Sequence, residues 1–175
     1  MGGPAPRWSS FDGVGDFDSQ RFRQVLGHVP TSVVVVTGFD AGGTPLGITI
    51  GSFVSVSLDP PLVGFLPGTT SRTWAAIAET KRFTVNVLGA DQGELCWRFA
   101  KESDDRFADI PWAPSTNGCP ALSGVVATID CDLESNGVHG DHHFAVGRVT
   151  HLEVLRETNA MAFYRGKVVE VAPVE

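Results

Sequence analysis

Residues Gly47 to Phe65, GITIGSFVSVSLDPPLVGF, constrain the fold more than any other stretch of the chain. Ile48, Ile50, Phe53, Val54 and Val56 are set against Thr49, Ser52, Ser55 and Ser57. That is the period-2 pattern of a strand with one apolar face and one hydroxyl-lined face. A row of small hydroxyls backed by main-chain N–H groups admits two readings. It is either the wall of a site for a planar, polar-edged ligand, or a barrel strand whose Ser and Thr meet water. Asp59-Pro60-Pro61 reads as a turn, because neither proline has an N–H for a ladder, and Leu62 to Leu66 as the next strand.

The flanking segments extend a strand-rich pattern. Asp18 can cap a helix that aligns Phe22, Val25, Leu26 and Val29 on one face and stops at Pro30. Thr31 to Thr37, TSVVVVT, is a continuous β-branched run, the mark of a strand covered on both sides. The turn Asp40-Ala41-Gly42-Gly43 joins it to the Gly47 stretch as a hairpin. Phe83 to Leu88 reads as a strand. Asp91-Gln92-Gly93-Glu94 resembles a capping box opening a helix that buries Leu95, Cys96 and Phe99. Ala100 to Gly124, which carries Asp104, Asp105 and Arg106, reads as a long irregular segment, of a length usually tied to function. Val125 to Leu133 and Phe144 to Leu155 are long strands on either side of a Glu134 to His143 loop. A helical turn at Ala160 to Tyr164 and a last strand, Lys167 to Val171, follow. The whole predicts seven or eight strands in a closed or nearly closed barrel with a few short helices.

With 175 residues, 20 Gly and 11 Pro, the chain has the size of one domain and the turn content of a β-rich one. We expect a flexible tail over residues 1–16 and the domain over 17–175. A net charge of −7 leaves no basic stripe for a nucleic-acid backbone, so no nucleic-acid partner is expected. No apolar run approaches the roughly 18 residues of a membrane span, and MGGPAPRWSS lacks the apolar core of a secretory signal. Cys96, Cys119 and Cys131 are widely spaced without a CxxC, which points to a reduced, cytoplasmic protein.

Two segments carry chemistry. Pro67 to Thr73 is a polar loop running into a helix that Ser71 can cap. Free N–H groups, the positive dipole end and Arg72 suit an anion there, while a plain capped surface helix is the competing reading. His139-Gly140-Asp141-His142-His143 holds metal-type side chains. All lie in one turn with no second cluster to answer them, so no metal is expected. Nucleophile elbows, Rossmann fingerprints and Walker loops are absent from the sequence.

Taken in register, FRQVLGHVPTSVVVVT, GITIGSFVSVSLDPPLV, SRTW, FTVNVL, GCPAL, GDHHFAVGRV and FYRG are similar to the flavin reductase-like family, the reductase components of two-component flavin monooxygenases. The resemblance spans nearly all of the chain beyond the tail. It implies a split β-barrel built as a homodimer that binds FMN or FAD and takes hydride from NADH or NADPH. Reduced flavin would then pass to a separate flavin-dependent monooxygenase. By the same resemblance, Thr49, Ile50, Gly51 and Ser52 should lie along the isoalloxazine, Phe65 and Pro67 should border the ring or ribityl chain, and Ser71, Arg72 and Thr73 should hold the phosphate. His142 should stand beside the nicotinamide as the catalytic residue, with Tyr164, Arg165 and Gly166 near the same mouth. Family members often carry Ser, Asn or Ala where this chain has Gly51, which leaves only main chain to contact the flavin there. The alternative within the resemblance is a non-catalytic flavin- or haem-binding module of the same fold.

Overall fold

A computed structural model describes residues 17–101, 103 and 105–173. The expected tail, Met1 to Asp16, and the charge at Asp104 lie outside them. The helices are α1 (Ser19–Leu26), α2 (Arg72–Glu79) and α3 (Gly93–Ala100). The strands are β1 (Thr31–Ser32), β2 (Val34–Phe39), β3 (Pro45–Ile50), β4 (Val54–Leu58), β5 (Pro61–Phe65), β6 (Arg82–Val87), β7 (Trp112–Pro114), β8 (Pro120–Leu122), β9 (Ala127–His139), β10 (His142–Val154), β11 (Ala160–Tyr164) and β12 (Lys167–Val171). None of these helices is long and apolar enough to cross a membrane.

Seven strands form one antiparallel sheet in the order β3-β2-β6-β9-β10-β5-β4. Ile50, near one edge, and Val63 and Phe65, near the other, belong to a single buried cluster with Val34, Val36, Phe83, Val85, Cys131 and Ala145. The sheet therefore curls around a core that α2 plugs with Trp74 and Ile77. Its edge strands β3 and β4 are consecutive in the chain and share no ladder, so the seam between them stays open. A three-stranded sheet, β1-β11-β12, and a two-stranded one, β7-β8, complete the fold.

The β-branched run is not one strand, for it breaks at Val33, Thr31–Ser32 pairing in the small sheet and Val34–Phe39 in the large one, but it is covered on both faces as its composition requires. Val34 and Val36 enter the core inside the sheet, while Val33 and Val35 join Leu88, Phe99, Leu122 and Met161 on the opposite face. The neighbouring hairpin forms as read, with the Asp40 carboxylate accepting from the N–H groups of Gly42 (2.9 Å) and Thr44 (2.8 Å). Those bonds hold the Asp40 carboxyl below the usual range.

A buried polar cluster fastens the β7–β8 hairpin to the sheet. Asn86 Nδ2 donates to Thr37 Oγ1 (2.9 Å), and Leu122 N–H donates to Asn86 Oδ1 (2.8 Å). Thr37 Oγ1 donates to the Pro120 carbonyl (2.5 Å). Asp130 accepts from Thr84 Oγ1 (2.6 Å) and from Asn117 N–H (3.0 Å). Every member is satisfied, the condition under which a buried polar group is tolerated.

Several expectations are corrected. The Gly47 stretch is not one strand, for Gly51, Ser52 and Phe53 break it between β3 and β4. Only Gly140 and Asp141 separate β9 from β10, so the Glu134 to His143 loop is mostly strand, and His142 begins β10. Ala160 to Tyr164 is strand rather than helical turn, because it pairs with both β1 and β12. The Ala100 to Gly124 segment contains the β7–β8 hairpin. At α3 no side chain caps the N-terminus. Asp91 is instead held by Arg156, and Gln92 Oε1 accepts from Gly89 N–H (3.0 Å). In α1 the Asp18 cap forms (2.8 Å to Arg21 N–H), yet the apolar face is uncovered, with Phe22 53% and Val25 50% exposed.

Candidate functional site

Along β3 the chain forms a cleft of about 810 Å³, within the usual size of a small-molecule site. Its walls are β3 and the β2–β3 turn on one side, the start of α2 on another, and the segment between α3 and β7 on the third. Ser71, Arg72 and Thr73 all line it. Ser71 caps α2, its Oγ accepting from Trp74 N–H (3.2 Å). The amides of Arg72 and Thr73, in the first turn, have no intrahelical acceptor and remain for a ligand.

Arg106 is the residue that sequence reasoning noted only as a charge. Its NH1 group donates to the Gly47 carbonyl (2.9 Å) and to Thr73 Oγ1 (2.8 Å), and its Nε donates to the Lys101 carbonyl (2.7 Å). The guanidinium thus lies across the helix start, joining it to β3 and the α3–β7 segment. Two arginines and the dipole end of α2 meet at one place, a strong setting for a phosphate. Within the sequence, the one signal was an arginine inside a segment richer in acidic than in basic residues.

His142 does not line this cleft, but it is bonded to the loop that does. Gly68 and His142 form a bridge, Asp141 O accepts from Thr69 N–H (2.9 Å), and His143 N–H donates to the Pro67 carbonyl (2.9 Å). The tip of the β9–β10 hairpin is therefore stitched to the Pro67–Thr70 loop feeding α2. Within the tip, His142 Nδ1 lies 2.7 Å from Asp141 Oδ1. Because a carboxylate can only accept, Nδ1 carries the proton, and Nε2 is the nitrogen free to face a ligand. The His142 hydrogen bond, joined by its charge and that of Arg23, holds the Asp141 carboxyl below its ordinary range. Among the described residues no three His, Cys, Asp or Glu side chains gather as a metal group.

The remaining expected residues divide. Gly51 is exposed at the open seam, and a Cβ there would meet only Thr31 Oγ1 at 3.4 Å and Ser32 O at 3.8 Å. Ser52 Oγ accepts from Leu66 N–H (2.9 Å) and so is partly occupied. Thr49 Oγ1 donates to the Cys96 carbonyl (2.7 Å), tying β3 to α3. Ile50 is buried in the core. Phe65 has no exposed surface and packs its ring edgewise on Trp74 and Phe83, so its side chain faces the core rather than the cleft. Pro67 is buried with its carbonyl engaged. Tyr164, Arg165 and Gly166 form the β11–β12 turn, with Arg165 (φ 51°) and Gly166 (φ 77°) left-handed, resting on the end of α1 through Arg165 N–H to Gly27 O (2.9 Å). That turn forms no part of the cleft wall. A second, more open hollow of about 710 Å³ on the outer side of α3 holds none of the expected residues.

Comparison with known proteins follows the same outline. The family model described as flavin reductase like domain matches residues 26–172. A flavin reductase from Pseudomonas putida is 48% identical over 149 residues, 85% of this chain and 88% of that protein. The reductase subunit of a flavin-dependent monooxygenase from Rhodococcus jostii is 46% identical over 156 residues, 89% of this chain and 80% of its own. Among solved structures, nitrilotriacetate monooxygenase component B from Mycobacterium thermoresistibile superposes with a TM-score of 0.84 at 37% identity, covering 89% of this chain and 90% of that one. An NADH:FAD oxidoreductase from Streptomyces globisporus, solved with NAD and FAD fragments, does so with a TM-score of 0.83 at 33% identity, covering 89% and 94%.

Proposed function

Because the chain belongs to the flavin reductase-like family, we propose that it is an NAD(P)H-dependent flavin reductase acting on FMN or FAD. In this reading it works as a cytoplasmic homodimer and supplies reduced flavin to a separate flavin-dependent monooxygenase. The observation that carries the reading is the stitching of two functions into one place. The loop that starts α2, with its free amides and Arg72 and Arg106, is bonded through Gly68 and Thr69 to the hairpin tip that presents His142.

Bound flavin supplies the hydride-accepting chemistry, so the protein needs no nucleophile or metal of its own. The chain's part is to bind, orient and stabilise charge. Arg72, Arg106 and the first amides of α2 hold the phosphate. Main-chain groups of Gly51 and Ser52 meet the polar edge of the ring at the open seam. Asp141 fixes the tautomer and direction of His142, which orients the nicotinamide nucleotide through Nε2. The half-exposed side chains of Phe22, Val25, Leu26 and Val29 support burial of α1 against a second copy, and the three free, buried cysteines support a reducing compartment.

Steady-state oxidation of NADH and NADPH with each flavin tests the reading. Turnover is expected with at least one pairing, and a protein that binds flavin without turnover is a binding module instead. His142→Ala should raise the apparent KM for the nicotinamide nucleotide more than it weakens flavin binding. Unchanged nucleotide kinetics would remove His142 from the site. Sedimentation velocity should give twice the chain mass.

A further inference from the structure

A single side-chain bond ties the helix at the head of the cleft to the strand pair that carries His142. Building on the flavin reductase reading, we propose that Asn136, which accepts the Trp74 indole N–H, is a positioning residue. It sets the span between the phosphate-holding start of α2 and His142, and through that span the alignment of flavin against nicotinamide.

The bond runs from Trp74 Nε1 to Asn136 Oδ1 at 3.1 Å. An indole nitrogen only donates, so the Asn136 amide turns its oxygen inward. Trp74 is 1% exposed and packs edgewise on Phe65 at 4.8 Å and Phe83 at 5.9 Å. A buried indole N–H needs a partner, and Asn136 supplies it. Asn136 itself is exposed and lies within β9, where asparagine is a poor strand former. Neither burial nor propensity accounts for an asparagine there; the indole does.

The two ends of the bond stand at useful places. Trp74 directly follows Arg72 and Thr73, and its main-chain N–H is taken by the Ser71 cap. Asn136 pairs with Ala145 while His139 pairs with His142, so the bond meets the hairpin three residues below its tip. That is about 10 Å at the rise of a strand. The tip is already joined to the loop before α2 by the Gly68–His142 bridge and the Thr69–Asp141 bond. One joint there would let α2 swing about the tip. A second joint about 10 Å away stops the rotation. Among the described residues, it is the one side-chain hydrogen bond from α2 to β9 or β10.

The consequence falls on rate rather than binding. In the proposed reaction one hydrogen and two electrons pass as hydride from the reduced nicotinamide to the flavin, leaving oxidised nicotinamide and reduced flavin. The start of α2 anchors one partner by its phosphate, and His142 on the hairpin orients the other. Each anchor survives loss of the Trp74–Asn136 bond, but their mutual register does not. A misplacement of about 1 Å costs on the order of 10²-fold in rate.

Asn136→Ala, at an exposed position, is the test. In the flavin-free protein, hydrogen exchange of the Trp74 indole N–H and the Thr69 amide should quicken about tenfold, with the Val85 amide in the core unchanged. Anaerobic single-turnover reduction is then followed with whichever flavin and nicotinamide nucleotide the wild type uses. The hydride-transfer rate constant should fall about tenfold or more, while both dissociation constants stay within about threefold. Asn136→Asp keeps an acceptor and should return the rate to within about threefold of wild type. Trp74→Phe should lower the rate as Asn136→Ala does, and the double variant should fall no further. An unchanged rate, unchanged exchange, or a weakened flavin constant with the rate at saturation intact overturns the positioning role and leaves the reductase reading standing. A wild type that turns over with no pairing overturns both.

Discussion

Phe65 offers a direct contest between two accounts of one side chain. The family pattern puts its ring at the edge of the flavin, whereas the structure puts it wholly inside the core. Its centroid lies 4.8 Å from Trp74 and 5.4 Å from Phe83, both at near-perpendicular planes. Phe65→Leu separates the accounts because it keeps an apolar side chain and removes the ring. Each edgewise pair is worth about 0.5–1.5 kcal/mol beyond burial, and a methyl-sized gap costs about 1 kcal/mol more. The expected loss is therefore about 2–4 kcal/mol. In a domain of this size each kcal/mol lowers Tm by about 2–4 °C, which predicts a drop of roughly 5–15 °C in the flavin-free protein. Thermal unfolding by circular dichroism measures it, alongside flavin affinity at a temperature where both proteins are folded. Flavin affinity should stay within about threefold of wild type. A melting point unchanged to about 2 °C, together with a tenfold weaker flavin constant, would refute the core assignment.

Three further expectations follow from particular contacts. Thr49→Val removes the bond to the Cys96 carbonyl, which keeps its intrahelical donor within α3. It should cost about 0.5–1.5 kcal/mol in chemical denaturation with little change in flavin affinity, and the reverse pattern would return the hydroxyl to the ligand. Arg106→Gln keeps a donor and removes the charge, so flavin should bind about tenfold weaker or more, with a shallower salt dependence; equal salt slopes would remove Arg106 from the phosphate. Burial pushes the Cys119 thiol to about 11 and the Cys131 thiol to about 12, and raises that of Cys96. A raised thiol pKa leaves little thiolate near pH 8. All three should therefore resist a thiol reagent in the folded protein, react more readily as pH climbs, and label together on unfolding. A single fast-reacting cysteine at pH 8 would contradict the packing.

Local chemistry made part of this molecule readable. Asp18 and Ser71 are short polar side chains ahead of helical spacing, and both cap as read. The β2–β3 hairpin follows from a turn whose Asp40 bonds its own amides. Readability ends where partners come from far along the chain. The Ala and Met of AMAFY suggest a helix, yet ladders to Thr31–Ser32 and to Lys167–Val171 outweigh that propensity. The polar ESNGVH reads as a loop, but it lies opposite β10 and continues the pairing. At the site, alternation placed Thr49 on the hydroxyl face without revealing that Cys96 O, 47 positions away, would accept its hydrogen bond. Arg106 reaches Gly47 across 59 positions, a distance over which neither periodicity nor capping rules carry information.

The double covering of β2 has a consequence for how the chain finds its register. In most half-buried strands, slipping by one residue throws apolar side chains into water, and that cost fixes the alignment. Here both faces of the strand are dry, and a slip would exchange Val33 and Val35 for Val34 and Val36, valine for valine. Hydrophobicity alone is nearly blind to the error. Thr37 is not, since a slip would carry it away from Asn86 and Pro120, and Asn86 would lose the partner that, with Leu122 N–H, keeps it satisfied in the interior. One buried amide and one buried hydroxyl thus act as the alignment key of β2, discriminating between two arrangements that its valines treat as equal.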